Sequence, residues 1–241
     1  MIYIFDVDGT LTPSRETIFP EFANWFSWWM LSEQSQGNKV MLVTGSDRTK
    51  TQEQLGEKIL SRIDYCFNCM GNTVYKGQEL VYDYKLEEPE TLKEFLELCL
   101  GRSTYPSRYG NHIEHRGSMI NFSVVGRNAV GQQRTHYYEW DKVNHERAAI
   151  ADQICNLFGQ QGLTATVGGE TGIDISAVGR DKSQVMSYID QPTVFFGDRI
   201  DPSGNDWSLA KALEADARFK HKIVPVQNWK QTWNVLKMPN N

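Results

Sequence analysis

The chain is predicted to be an α/β protein: a Rossmann-like parallel-sheet core that carries an inserted α+β block. Three observations predict this. Short, continuously apolar runs alternate with helical repeats over the first 70 or so residues, as strands buried on both faces of a parallel sheet require. The pattern then changes to paired, alternating segments typical of antiparallel hairpins. After about residue 178 the alternation of buried strand and helix resumes. The core is therefore expected at 1–84 and 178–241, with the inserted block at 85–177.

Taken in order, "IYIF" at 2–5 is apolar without a break and reads as a buried strand. Phe22, Trp25, Phe26, Trp29 and Met30 recur at helical spacing and mark a core-facing helix. "KVMLV" is a second strand, "DRTKTQEQLGEKIL" one helix and "DYCFN" a third strand. Residues 72–83 read as a hairpin turning near Lys76 and Gly77. In the inserted block, "EEPETLKEFLELCL" is a helix and "NHIEHRGSMINFSVV" a hairpin about Gly117 and Ser118. "YYEWDKVNHERAAIADQICNLF" reads as one long amphipathic helix, and "LTATVGG" and "GIDISAV" as two more strands. The core resumes with a helix from about 182, the strand "TVFFGD", a helix from about 205, the strand "KIVPV" and a last helix near 228–237; the tail "MPNN" is expected to fray.

A length of 241 residues with 40% hydrophobic content supports a sizeable core without disulfide staples. The net charge of -5 argues against a broad nucleic-acid surface and points to small-molecule partners. No run reaches the roughly 20 apolar residues of a membrane span, and "MIYIF" lacks the basic start of a secretory leader, so neither a membrane nor a nucleic acid is expected as a partner and a cytoplasmic location is. Cys66 and Cys69 form a lone pair without a second pair at zinc-ribbon spacing, and reduced, packed thiols are the expectation.

Chemistry gathers where parallel strands end. Asp6 and Asp8 follow the first strand, "TGSD" the second and "GDRIDPSGND" the late one. Carboxylates converging from separate strand ends repel each other unless protonated or bridged by a cation, and oxygen-only ligands favour Mg²⁺. Beside such a cation Asp6 is a candidate nucleophile toward phosphate, with Asp8 as proton donor and acceptor. Thr44, with the N–H groups of Gly45 and Ser46, can hold phosphate oxygens, and Lys182 can neutralise both phosphate and Asp6. Singly, these residues have ordinary readings: Asp47 as a helix cap, Lys182 as a surface charge, Gly204 and Asn205 as turn residues. His112, Glu114 and Arg116 alternate onto one strand face.

The ensemble of Asp-x-Asp-Gly-Thr, a hydroxyl after the second strand, a distant Lys and Gly-Asp followed by Asn-Asp resembles the four motifs of the haloacid dehalogenase superfamily. More narrowly, "FDVDGTLTPSR", "GSDRTKTQEQLG", "IEHRGSMINFSVVGRNA", "YYEWDK" and "FFGDRIDPSGND" resemble the eukaryotic-type phosphomannomutase family, in the same order and up to about residue 207. The resemblance implies a haloacid-dehalogenase core with a cap that binds the sugar phosphate. It implies Asp6 as nucleophile and Asp8 as acid/base, with Mg²⁺ held by Asp6, the main-chain carbonyl of Asp8 and Asp198, and supported by Asn205 and Asp206. It also implies Arg116, Arg127 and Arg134 as a grip on the distal phosphate and sugar, with Arg15 and Asp174 as further substrate contacts. The implied partners are mannose 1- or 6-phosphate, a hexose bisphosphate activator and a second copy joined through the cap.

Arginines from one hairpin strand, the segment after it and a helix start suit bidentate phosphate recognition. A mutase needs this second anchor, because a bisphosphate must turn and present its other end to Asp6. The sequence departs from the family pattern at Gly172, usually a serine, at "NCMG", usually Glu-Asn-Gly, at Thr44, usually glycine, and at Arg199, usually lysine. A sugar-phosphate phosphatase is the main alternative, and a non-catalytic sugar-phosphate sensor the third.

Overall fold

A computed structural model gives the fold and describes residues 1–202 and 204–238. Of the tail 238–241 expected to fray, residues 239–241 lie outside the described residues. In chain order the elements are β1 (Ile2–Phe5), α1 (Pro20–Ser35), β2 (Lys39–Val43), α2 (Arg48–Leu55), α3 (Glu57–Leu60), β3 (Tyr65–Asn68), β4 (Thr73–Lys76) and β5 (Glu79–Asp83). Then follow α4 (Glu90–Arg102), β6 (Ile113–His115), β7 (Met119–Phe122), α5 (Gln132–Asn144), α6 (Glu146–Phe158), β8 (Leu163–Gly168) and β9 (Gly172–Ala177). The last are a 3₁₀ run at Lys182–Tyr188, β10 (Thr193–Gly197), α7 (Trp207–Ala215), β11 (Lys222–Pro225) and α8 (Trp229–Lys237). The chain divides into two compact units, Met1–Asp83 with Arg180–Asn241, and Tyr84–Gly179.

The first unit is built on a seven-stranded sheet in the order β11-β10-β1-β2-β3-β4-β5. Its five leading strands are parallel, and β4 and β5 add an antiparallel edge. β1 lies at the centre of the five parallel strands, with Phe5 opposite Phe196 on one side and Leu42 on the other. This explains why it is apolar at every position: Tyr3 and Phe5 enter the cluster with Phe26 and Trp29 of α1, whereas Ile2 and Ile4 join the opposite cluster with Leu209 and Leu213 of α7. Each fully buried side chain of this size contributes about 1.5–3 kcal/mol. The register also aligns the carboxyl ends of β1, β2 and β10, from which Asp6, Thr44 and Asp198 emerge.

The second unit is a four-stranded antiparallel sheet, β6-β7-β9-β8. Ile120, Phe122, Ile173, Ile175, Leu163 and Ala165 share a buried cluster with α4, α5 and α6. The alternate residues Glu114, Asn121, Asp174 and Thr166 stand opposite one another across all four strands. The period-two pattern thus gives one greasy face and one polar face.

Three expectations about helices change. The single helix drawn through 47–60 breaks at Gly56, whose φ of 75° no helix accommodates. The helix placed from 182 is a short 3₁₀ run. The long helix through 137–158 is two helices, because His145 is left-handed with φ 53°. Asp141 makes that break tolerable: its carboxylate accepts from the Arg147 N–H at 2.9 Å and from Arg147 Nε at 2.7 Å. Among the described residues no helix is long and apolar enough to cross a membrane.

Candidate active site

In the first unit, Asp6 leaves β1 with its N–H bonded to Phe196 O at 2.9 Å, which fixes its backbone against β10. Its side chain is almost fully buried. Lys182, the first residue of the 3₁₀ run, is completely buried and donates to Asp6 Oδ1 at 2.6 Å and to Asp206 Oδ1 at 2.7 Å. Asp206 Oδ2 accepts from the Arg199 N–H at 3.0 Å. Asp198 follows β10, and oxygens of Asp6, Asp198 and Asp206 lie within 4.8 Å of one another. Lys182 is therefore no surface charge.

Burial pushes the Asp6 carboxyl up to about 8, opposed by Lys182 and aided by the repulsion of Asp206 and Asp198. Burial and then Asp206 raise Asp198 to about 6. Burial works against the Lys182 ammonium, yet Asp6 and Asp206 together hold its pKa above the ordinary lysine value. With all three carboxyls ionised, one ammonium leaves a surplus of two negative charges, which a divalent cation would neutralise in place of protons. Gly9 completes the fit. It has φ +80°, and a Cβ there would lie 2.2 Å from Asp198 Oδ2, so the backbone passes close to the cluster only as glycine. The donor set, all oxygen, suits a hard cation such as Mg²⁺. Asn205 is exposed on the turn before the buried Asp206.

Asp8 is held differently. Its Oδ1 accepts from the Arg15 N–H at 2.5 Å and from Gln54 Nε2 at 2.9 Å, and its Oδ2 from Ser46 Oγ at 3.4 Å. Arg15 reaches that bond by adopting φ 62°, and its side chain is exposed. Gln54 lies on α2, is almost fully buried, and also donates toward Thr12 Oγ1 at 3.2 Å. Sequence reasoning passed over Gln54; the signal was a polar residue among the buried positions of its helix, beside Thr51 and Leu55. Thr44 is buried at the end of β2, and its hydroxyl oxygen accepts from the Ser46 N–H at 3.1 Å. That N–H, expected to face a phosphate, is thus turned inward. Asp47 caps α2 by accepting from the Lys50 N–H at 2.7 Å. Met70 covers the same turn, with Cε 2.9 Å from where a Gly45 Cβ would stand. Cys69 and Met70 are both left-handed there, a strain tied down by bonds from their N–H groups to Ser46 O and Thr44 O.

In the second unit the expected arginine trio is a pair and a single. Arg116 donates through Nε and Nη2 to Glu114 Oε2 at 3.0 and 2.5 Å, and Arg127 Nε lies 3.0 Å from the same oxygen. Arg134, early in α5, pairs instead with Glu170 at 3.1 Å. Asp174 accepts from Asn121 Nδ2 at 2.5 Å. Gly172 makes room for Asn121, since a Cβ at 172 would stand 2.7 Å from that Nδ2. Glu114 and Asn121 are thus added to the polar face. His112 is engaged by Ser123 O at 2.8 Å, and His115 by Glu88 at 3.3 Å.

Comparison with known proteins gives the family and the fold. A family model described as eukaryotic phosphomannomutase matches residues 29–234. A probable phosphomannomutase of Caenorhabditis elegans is 35% identical over 254 residues, covering 98% of this chain and 95% of that one. A phosphomannomutase of Oryza sativa subsp. indica is 31% identical over 232 residues, covering 93% and 90%. Among solved structures, a haloacid dehalogenase-like hydrolase from Bacteroides thetaiotaomicron superposes with a TM-score of 0.56 at 14% identity, over 88% of this chain and 85% of that one, a likeness of fold. The chain belongs to the eukaryotic phosphomannomutase family, phosphotransferases on the haloacid dehalogenase fold.

Proposed function

We propose that this protein interconverts mannose 6-phosphate and mannose 1-phosphate through a phosphorylated Asp6. The observation that carries the reading is the buried Asp6 carboxylate, engaged by Lys182 through one oxygen only and grouped with Asp198 and Asp206 at the strand ends. Asp6 Oδ1 accepts the hydrogen bond of the Lys182 ammonium, which keeps its proton, and Oδ2 attacks phosphorus. The bond to the sugar oxygen breaks, and Asp8 gives that oxygen its proton. The same carboxylate then receives a proton from the hydroxyl that attacks the phosphoaspartate, so the phosphoryl group reaches the other end of the sugar by way of a bisphosphate. Bonds from Arg15, Gln54 and Ser46 hold Asp8 for this work.

Thr44 offers its hydroxyl to a phosphate oxygen, and Lys182 offsets the charge that Asp6 and the phosphoryl group bring together. Mg²⁺, when bound to Asp6, Asp198 and the Asp8 carbonyl with Asp206 and Asn205 in support, supplies further neutralisation of the phosphoryl oxygens. Arg116, Arg127 and Arg134 grip the distal phosphate and sugar, with Asp174 and Arg15 as further contacts. Under this reading a hexose bisphosphate is the activator and the protein acts in the cytoplasm.

The test is to assay the purified protein with Mg²⁺, a hexose bisphosphate and each mannose phosphate, scoring isomer and inorganic phosphate together. Isomer formation is expected. Steady release of phosphate with no isomer would overturn the mutase reading and identify a sugar-phosphate phosphatase.

A further inference from the structure

Arg116 and Arg127 do not wait empty for a ligand. One oxygen, Glu114 Oε2, takes two donors of the Arg116 guanidinium and stands 3.0 Å from Arg127 Nε. Exposed ion pairs of this kind are commonly one cation to one anion on flexible stems, and contribute little. Here the two cations come from separate segments that the backbone locks together. Arg116 lies just past β6, its N–H bonded to Met119 O at 2.9 Å across the hairpin turn. Arg127 lies beyond β7 and is drawn back beside the entry to β6, with its N–H on Asn111 O at 2.7 Å. Gly126 enables that crossing: it has φ +94°, and a Cβ there would meet Tyr109 O at 2.1 Å. The fork is rigid in its backbone, and a carboxylate already fills it.

A carboxylate oxygen and a phosphate oxygen ask the same of a guanidinium, namely in-plane, charge-assisted N–H donors. On the reading that these arginines hold the distal phosphate, Glu114 stands where the substrate's anion must go. The two anions cannot share the fork without strong repulsion at such a spacing. A mutase also gains from a limited grip, since a bisphosphate held as tightly as the fork allows would not turn.

We propose that Glu114 is an internal counter-anion of the Arg116–Arg127 pair, a positioning residue that aligns both guanidiniums in the free protein and is displaced by the substrate's phosphate. It lowers affinity for the hexose phosphate and so favours release and turning of the bisphosphate. The residue acts on substrate through the arginines.

The test compares the full chain with Glu114→Gln and Glu114→Ala, titrating mannose 6-phosphate by calorimetry at low and moderate salt and measuring KM and kcat for isomer formation. Glu114 is about two-fifths exposed, so both variants should keep the fold, checked by circular dichroism. The expected result is a fivefold or greater fall in Kd and KM for Glu114→Gln, a steeper loss of affinity with salt than in the wild type, and a lower kcat. Equal or weaker binding by folded Glu114→Gln and Glu114→Ala overturns the proposal, because it would leave Glu114 as a mere prop for the arginines. If the wild type binds the sugar phosphate and Glu114→Gln binds it more tightly, yet no isomer forms, the counter-anion stands and the mutase reading falls. A wild type that does not bind the sugar phosphate overturns both.

Discussion

The Lys182 ammonium donates to Asp6 Oδ1 at 2.6 Å and to Asp206 Oδ1 at 2.7 Å from a position without solvent exposure. Its removal leaves carboxylates facing one another in a buried pocket. Lys182→Met should destabilise the metal-free protein by about 3–5 kcal/mol, the usual cost of breaking a buried pair from one side. Urea unfolding measures it, and a loss below about 1 kcal/mol would show that water or protons reach the cluster more easily than its burial implies.

Asp6→Asn keeps the shape of the side chain and, on the proposed mechanism, removes the attacking charge. Turnover should fall to background, while the affinity for mannose 6-phosphate stays within about threefold, because a nucleophile contributes to the transition state rather than to ground-state binding. Single-turnover assays and calorimetry on the same preparation separate the two quantities.

The raised carboxyls of Asp6 and Asp198 make stability depend on pH. An acid whose folded pKa lies above its unfolded value binds protons more readily in the folded state, so stability falls as pH rises between the two. With Asp6 pushed to about 8 and Asp198 to about 6, the metal-free protein should lose stability from about pH 4 to pH 8. Added Mg²⁺ should therefore raise Tm more at pH 8 than at pH 5. A Tm gain independent of pH would place the cation away from this cluster.

Gly9→Ala forces a methyl group onto Asp198 Oδ2 and a side chain into the left-handed region. The backbone strain costs about 1–2 kcal/mol, and the displaced carboxylate should weaken Mg²⁺ binding. The expected signature is an apparent Mg²⁺ affinity for activity reduced by about tenfold, an estimate set by the roughly 1.4 kcal/mol per decade of a shifted ligand.

Gln54→Ala removes a donor from Asp8 and touches no other carboxylate of the cluster. Isomer formation should fall mainly in kcat, by roughly 10-fold, as expected where a proton-transferring group loses its alignment. A change confined to KM would assign Gln54 to substrate binding.

The acidic cluster was legible because position in the chain implied position in space: Asp6 and Asp198 follow apolar strands, and parallel strands deliver their carboxyl ends to one edge. Lys182 gained meaning only in combination, since a lysine near a helix start reads as solvated until something buries it. Gln54 was not legible, because its burial comes from the turn after β1 settling on α2. The Glu114 fork escaped notice for a similar reason. Its face was readable from strand alternation, but the approach of Arg127 depends on a loop crossing that Gly126 permits. The break at His145 carries no glycine to mark it, and the buried Asp141–Arg147 bonds that stabilise it are made only after folding.

The placement of β1 between β2 and β10 carries a consequence for assembly. During synthesis the strand that bears Asp6 can pair on its β2 side at once, but its other edge stays open until residues 193–197 leave the ribosome, after the whole inserted unit. An apolar edge exposed that long invites mispairing, and contacts of such sequence separation slow folding. Premature termination anywhere before β10 would yield a chain lacking at least β10 and β11 of the seven strands, together with Asp198 and Asp206 of the acidic cluster, so truncated products should be insoluble rather than partly active.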